Sequence, residues 1–160
     1  MSATRSVWIA TANLKGVMVE ASSIGRRRRF RPILEVLAEL AERGVELRML
    51  HASPPSRPFR DAFDALPALV RGGLQLRACP RVHFKLVVVD ARLAYVGSAN
   101  WTGAGLGVRG DDARNFEMGI VTRDDAILDA VQASFDRVWR GAACGRCRLR
   151  DRCEMPLDVI

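Results

Sequence analysis

His83-Phe84-Lys85-Leu86-Val87-Val88-Val89-Asp90, with Gly97-Ser98-Ala99-Asn100 shortly after it, is the stretch whose reading decides the fold. Its β-branched run predicts a buried strand over 83–89, and Leu93–Gly97 predicts a second strand paired with it. Side chains alternate along a strand, so His83 and Lys85 share one face. A tight turn at Ala91-Arg92 would pair Asp90 with Leu93, Lys85 with Ser98 and His83 with Asn100, and a four-residue loop keeps the same pairing. All four polar side chains would then lie on one face, whereas a loop of odd length would turn Ser98 and Asn100 away. A histidine beside a fixed cation suits phosphate chemistry: the cation neutralises oxygens and the imidazole attacks phosphorus or moves a proton. Asp90 lies about 23 Å along an extended strand from His83. Its expected role is therefore structural, in the turn or at a subunit contact.

The rest of the chain reads as alternating strands and helices. Strands are expected at Ser6–Thr11, Val45–Leu50, Leu74–Ala78 and Phe116–Val121. Helices are expected from Pro32 to a stop at Gly44, over Phe59–Val70, and over Ala126–Arg140. Ser22 to Arg31 reads as a polar, basic stretch and Gly103–Asp112 as a Gly-rich loop. This is an α/β pattern of one domain over 1–140, followed by a Cys- and Arg-rich tail over 141–160. The 160 residues suit one domain, and 49% hydrophobic with 27% charged residues excludes wholesale disorder. No run approaches the roughly 18–20 apolar residues that span a bilayer, and the N-terminus lacks the pattern of a secretory signal. A cytoplasmic protein is expected.

The pattern His83, Lys85, Asp90, Gly97, Ser98, Asn100 resembles the H-x-K-x(4)-D and G-S-x-N signature of the phospholipase D superfamily. Arg114-Asn115-Phe116-Glu117 resembles that family's later Asn-x-Glu element. The resemblance implies a mixed β-sheet flanked by helices and a metal-independent phosphodiester transfer through a phosphohistidine. It implies that His83 is nucleophile in one copy and general acid/base in the other. Lys85 and Asn100 would bind phosphate oxygens with Ser98 beside them, and Glu117 would orient an imidazole. The chain has two histidines, and His51 lacks a lysine two residues on. One motif is half a site, so the resemblance to the short endonuclease branch implies a homodimer with His83 facing its symmetry mate.

Cys79, Cys144, Cys147 and Cys153 are the four cysteines, the last three spaced C-x(2)-C-x(5)-C. In a chain without a secretion signal, this spacing favours metal over disulfides. Four thiolates suit zinc or a cubane iron–sulfur cluster. The tail resembles the iron–sulfur loops of helix-hairpin-helix DNA glycosylases and of certain nucleases, which implies a structural 4Fe-4S cluster with Cys79 as the distant ligand, zinc being the alternative.

The net charge is +7, with only two lysines among 25 basic residues. That arginine excess fits the codon bias of a GC-rich genome. Arg26, Arg27, Arg28 and Arg29, with Arg31, stand before a helix N-terminus, where cations oppose the macrodipole. A polyanion-binding loop would explain them, for nucleic acid or for anionic phospholipid. The reading is thus a nuclease, with a lipid phosphodiesterase or a catalytically silent nucleic-acid-binding module as alternatives.

Overall fold

The computed structural model describes residues 3–24, 27–106, 112 and 115–159; of 21–24, 27 and 28 it describes the backbone alone. Six strands form one mixed sheet: β1 (Ser6–Thr11), β4 (Glu46–His51), β5 (Gln75–Ala78), β6 (Leu86–Val89), β7 (Leu93–Gly97) and β8 (Gly119–Thr122). Their order is β5-β4-β1-β6-β7-β8. The first three run parallel to one another, and β6, β7 and β8 continue antiparallel. β2 (Met18–Ile24) and β3 (Arg27–Pro32) form a separate antiparallel pair.

The sheet buries both faces because its central strands alternate between two cores. On one face Val7, Ile9, Leu47 and Met49 meet Leu34 and Leu37 of α1 (Ile33–Glu42) and Phe59 of α2 (Arg57–Asp64). On the other, Ala10, Leu50, Leu86 and Val88 meet Leu128, Phe135 and Trp139 of α3 (Asp125–Trp139). Asp124 caps α3 by accepting the Ile127 N–H at 3.0 Å. Leu157 from the tail enters this second core, 4% exposed, so the Cys-rich segment is packed on the body.

Four expectations are corrected. Over its described residues the basic stretch is not a loop: 22–24 lie in β2 and 27–31 in β3, and Pro32 both ends β3 and stands as the N-cap of α1, whose first residue is Ile33. The helix expected over Phe59–Val70 stops at Asp64, because Pro67 cannot continue it, and the chain makes a separate wide turn at Leu69–Gly73. The strand expected from Phe116 begins only at Gly119. The fourth correction concerns the hairpin. β6 starts at Leu86, Val89 pairs with Leu93, and Leu86 pairs with Val96, so the connection is the odd, three-residue loop Asp90-Ala91-Arg92. Asp90 and Ala91 both adopt positive φ, 53° and 54°, which carries the turn without glycine.

Candidate active site

The sheet's topology brings the motif residues to one end. Because β6 runs antiparallel to β1, its start lies beside the end of β1; the end of β7 and the start of β8 follow in the same row. Lys85 therefore stands beside Thr11, with Ser98 and Glu117 next along the edge of the sheet. The expected one-face register fails, since Lys85 is opposite Gly97 rather than Ser98, and the Gly97 N–H donates to the Lys85 carbonyl at 3.0 Å. The residues still converge because Ser98–Asn100 leave the strand after Gly97 and the parity rule no longer applies to them.

Lys85 is 7% exposed, while His83 is exposed. Lys85 Nζ lies 2.9 Å from His83 Nε2 and donates to the His83 carbonyl, also at 2.9 Å. A charged ammonium has no acceptor, so in this contact His83 Nε2 accepts and the ring is neutral, with its proton on Nδ1. Burial pulls the Lys85 pKa below the ordinary lysine value, and the Glu117 charge opposes that pull.

Ser98 Oγ donates to Glu117 Oε2 at 2.5 Å and accepts the Met118 N–H at 3.0 Å. Asn115 Nδ2 donates to Glu117 Oε1 at 3.0 Å. The Ser98 bond, then the Asn115 bond and the Lys85 charge, hold Glu117 below the usual carboxylate range. Glu117 thus binds Ser98 and Asn115, where an imidazole was expected. Asn100 Oδ1 accepts the Asn13 N–H at 3.2 Å, and Thr11 Oγ1 lies 3.4 Å away. Thr11 in turn accepts the Trp101 N–H at 2.9 Å. These contacts commit the carbonyl side of the Asn100 amide; no hydrogen bond among the described residues uses its Nδ2.

Thr11 and Asn13 are site residues that sequence reasoning missed. Their signal is positional: Thr11 is the last residue of β1 and Asn13 follows it, at the carboxyl end of a parallel strand, where α/β sheets collect ligands. A cleft of about 670 Å³ opens over this end, lined by Thr11, Lys85, Tyr95, Trp101, Asn115 and Glu117. Tyr95 lies across the paired glycines Gly97 and Gly119, and a Cβ on either would come within 2.5 Å of it. Asp90 is at the opposite end, as its spacing requires. Its carboxylate accepts the backbone N–H groups of Thr4, Arg5 and Ser6 at 2.7–3.1 Å and the Thr4 hydroxyl at 3.0 Å, which fixes the start of β1. The backbone donors, that of Ser6 foremost, lower its pKa strongly. His51 is buried; its Nδ1 donates to the Ser53 carbonyl at 2.9 Å, and burial lowers its pKa.

Of the basic run, Arg26 lies outside the described residues, as do the side chains of Arg27 and Arg28. Arg29 is exposed. Arg31 is engaged by Glu39 at 2.5 Å and Glu35 at 3.6 Å, so it already has anionic partners. The four cysteines are free thiols and all line one small cavity. The Leu149 N–H and the Arg81 side chain hold the Cys147 thiol below its ordinary pKa. Among the described residues no group of three or more His, Cys, Asp or Glu side chains is arranged to hold a metal ion. Nor is any helix among them long and apolar enough to cross a membrane.

Comparison with known proteins agrees with this architecture. The chain is 26% identical over 107 residues to a mitochondrial cardiolipin hydrolase of Chlamydomonas reinhardtii, covering 67% of this chain and 45% of that one. It is 29% identical over 119 residues to phospholipase D Y of Dictyostelium discoideum, covering 69% of this chain and 25% of that one. It therefore spans less than half the length of either relative. Among solved structures, the phospholipase D family member Nuc from Salmonella typhimurium superposes with a TM-score of 0.61 at 18% identity, over 87% of this chain and 80% of that one. The model of the cardiolipin synthase PLD-like domain matches residues 1–139, and the chain thus belongs to the phospholipase D superfamily.

Proposed function

We propose that this protein is a metal-independent phosphodiesterase acting on nucleic acid through a phosphohistidine, with its site completed across a homodimer. The observation that carries the reading is Lys85, which lines the cleft with Asn115 and Glu117 and holds His83 Nε2 at 2.9 Å, while Asn115 and Glu117 are already hydrogen-bonded to each other. An arriving phosphate competes for Lys85 Nζ. As the ammonium turns to a non-bridging oxygen, the Nε2 lone pair is released for in-line attack. The N–P bond forms, the ester P–O bond breaks, and the leaving oxygen takes a proton from His83 of the second copy, which enters the step as an imidazolium and leaves it as a neutral imidazole. That imidazole then removes a proton from water, and the hydroxide displaces His83 to give a phosphate monoester and the free enzyme. Asn100 Nδ2 binds a phosphate oxygen, while Glu117 holds Ser98 and offsets the Lys85 charge.

The dimer is supported by β8 and the segment that leads into it. Phe116, Met118, Ile120 and Val121 are all more than half exposed at the sheet's outer edge, beside Glu117. An apolar edge strand next to a site with one histidine suits a second copy of the same chain. Nucleic acid is favoured by the +7 charge and the exposed Arg29. The lipid reading draws on the two curated relatives, whose names are those of lipid hydrolases.

The test is turnover in excess EDTA on single- and double-stranded DNA, RNA, bis-p-nitrophenyl phosphate and cardiolipin vesicles. Cleavage of a nucleic acid that disappears in His83→Ala is the expected result. Cleavage of cardiolipin alone would select the lipid reading, and a protein that binds DNA with no turnover would be a silent module.

A further inference from the structure

Tyr95 lines the cleft, and the phosphodiesterase mechanism gives it nothing to do. Sheet register explains its place. Lys85 lies opposite Gly97, and Gly97 pairs with Gly119, so the three positions form one row across neighbouring chains. Val87, Tyr95 and Val121 form the next row. Directly opposite residues share a face, as do residues two apart along a strand, so Tyr95 stands on the face of Lys85. Two of the three positions in the Lys85 row have no side chain. The Tyr95 ring fills the space they leave. A Cβ on Gly97 would stand 2.7 Å from its Cζ, and one on Gly119 would stand 2.5 Å from Cε2 and 2.8 Å from the hydroxyl oxygen. The hydroxyl end of the ring is thus carried out of its own row and over that of Lys85, toward the catalytic end of the sheet.

Hydrogen bonding in the cleft singles out this oxygen. Thr11, Lys85, Asn115 and Glu117 each bond within the protein already. The Trp101 indole nitrogen lacks a partner but is buried. The Tyr95 hydroxyl has no hydrogen bond among the described residues. It is not one of the buried atoms left without a partner, so solvent reaches it. A phenol offers one O–H donor at the end of an apolar ring. Held against the backbone of β7 and β8, that donor loses little freedom when a ligand arrives.

We infer that Tyr95 is a further substrate-binding residue, its hydroxyl donating to a non-bridging oxygen of the phosphodiester held by Lys85 Nζ and Asn100 Nδ2. The inference rests on the phosphodiesterase reading and adds a neutral donor to its two amino-group donors. Tyr95 brings no charge, so the balance between Lys85 and Glu117 is untouched. Gly97 and Gly119 serve the same contact by leaving room for the ring.

Tyr95→Phe tests the contact, because it removes the oxygen and keeps the ring over the two glycines; an unchanged Tm checks the fold. The first readout is the affinity for inorganic phosphate by titration calorimetry, which needs no turnover. It should weaken about tenfold or more, as expected for a hydrogen bond to a charged oxygen. The second is kcat/KM on bis-p-nitrophenyl phosphate in excess EDTA, which should fall by a similar factor. Gly119→Ala, which displaces the ring, should weaken phosphate binding in the Tyr95 protein and add no further loss in Tyr95→Phe. Unchanged phosphate affinity in Tyr95→Phe overturns the inference, and a full further loss from Gly119→Ala in that background overturns the part given to the glycine. A protein that binds phosphate through Tyr95 but turns over no phosphodiester sinks the phosphodiesterase reading and leaves the phosphate contact standing.

Discussion

Lys85 works between two ligands, His83 in the free protein and a phosphate oxygen in the proposed complex, and its burial sets the pH range in which it can do so. Its pKa lies below the ordinary lysine value. Raising pH removes the cation, so the alkaline limb of a kcat/KM profile should fall below about 10.4, the ordinary lysine value. A limb at or above that value would detach Lys85 from the rate. Glu117→Gln keeps the shape of the Ser98–Asn115 network and removes its charge, and kcat on bis-p-nitrophenyl phosphate should fall roughly 10²-fold. Asp90 separates structure from chemistry. Its folded-state pKa is depressed, so its stabilisation is present above the ordinary carboxylate range and is lost as pH falls through the folded value. Asp90→Asn should lower Tm at neutral pH, by about 2–4 °C for each kcal/mol lost in a chain of this size. Turnover per folded molecule should stay unchanged, and the Tm difference should shrink in acid. The motif residues were legible because spacing alone marks them. Thr11 and Asn13 were not, because common polar residues after a strand carry no signal until the sheet order is known.

At the scale of elements, the hairpin register shows where sequence reading stops. The connection holds two positive-φ residues, Asp90 and Ala91, and neither is the glycine or asparagine that announces such a turn. The loop length was therefore misread by one residue, and the register moved with it. β3 was hidden because its arginines give no apolar alternation, and the end of α2 because the apolar spacing continues through Leu66, Leu69 and Val70 beyond it. β3 now makes a graded prediction. Arg31 is already paired with Glu35 and Glu39, whereas Arg29 is exposed. Arg29→Ala should reduce the salt slope of DNA binding by about 0.7–0.9, and Arg31→Ala by less. Equal changes would show that the ion pairs open on binding. On β8, Ile120→Lys should dissociate the proposed dimer in sedimentation velocity and lower activity at least tenfold at low protein concentration; an active monomer would sink the shared site.

At the scale of the molecule, the α/β class and the strand sequence were readable from apolar runs, since each central strand feeds two cores. What could not be read was the row formed by the ends of β1, β6, β7 and β8, because neighbours in a sheet need not be neighbours in sequence. That row has a consequence for the order of assembly. β6, β7 and β8 are joined in sequence, and Val88 pairs with Ala94 across a short turn, whereas Val7 pairs with Val89 across more than half the chain. Loop closure makes the local meander the faster element and the docking of β1 the slower one. His83, Lys85, Ser98 and Glu117 all belong to the meander or its flanks; the tie from Thr11 and Asn13 to Asn100 comes only with β1. During refolding, recovered catalysis should therefore trail the burial of the meander's side chains, because the last contact made is the one that closes the catalytic end of the sheet.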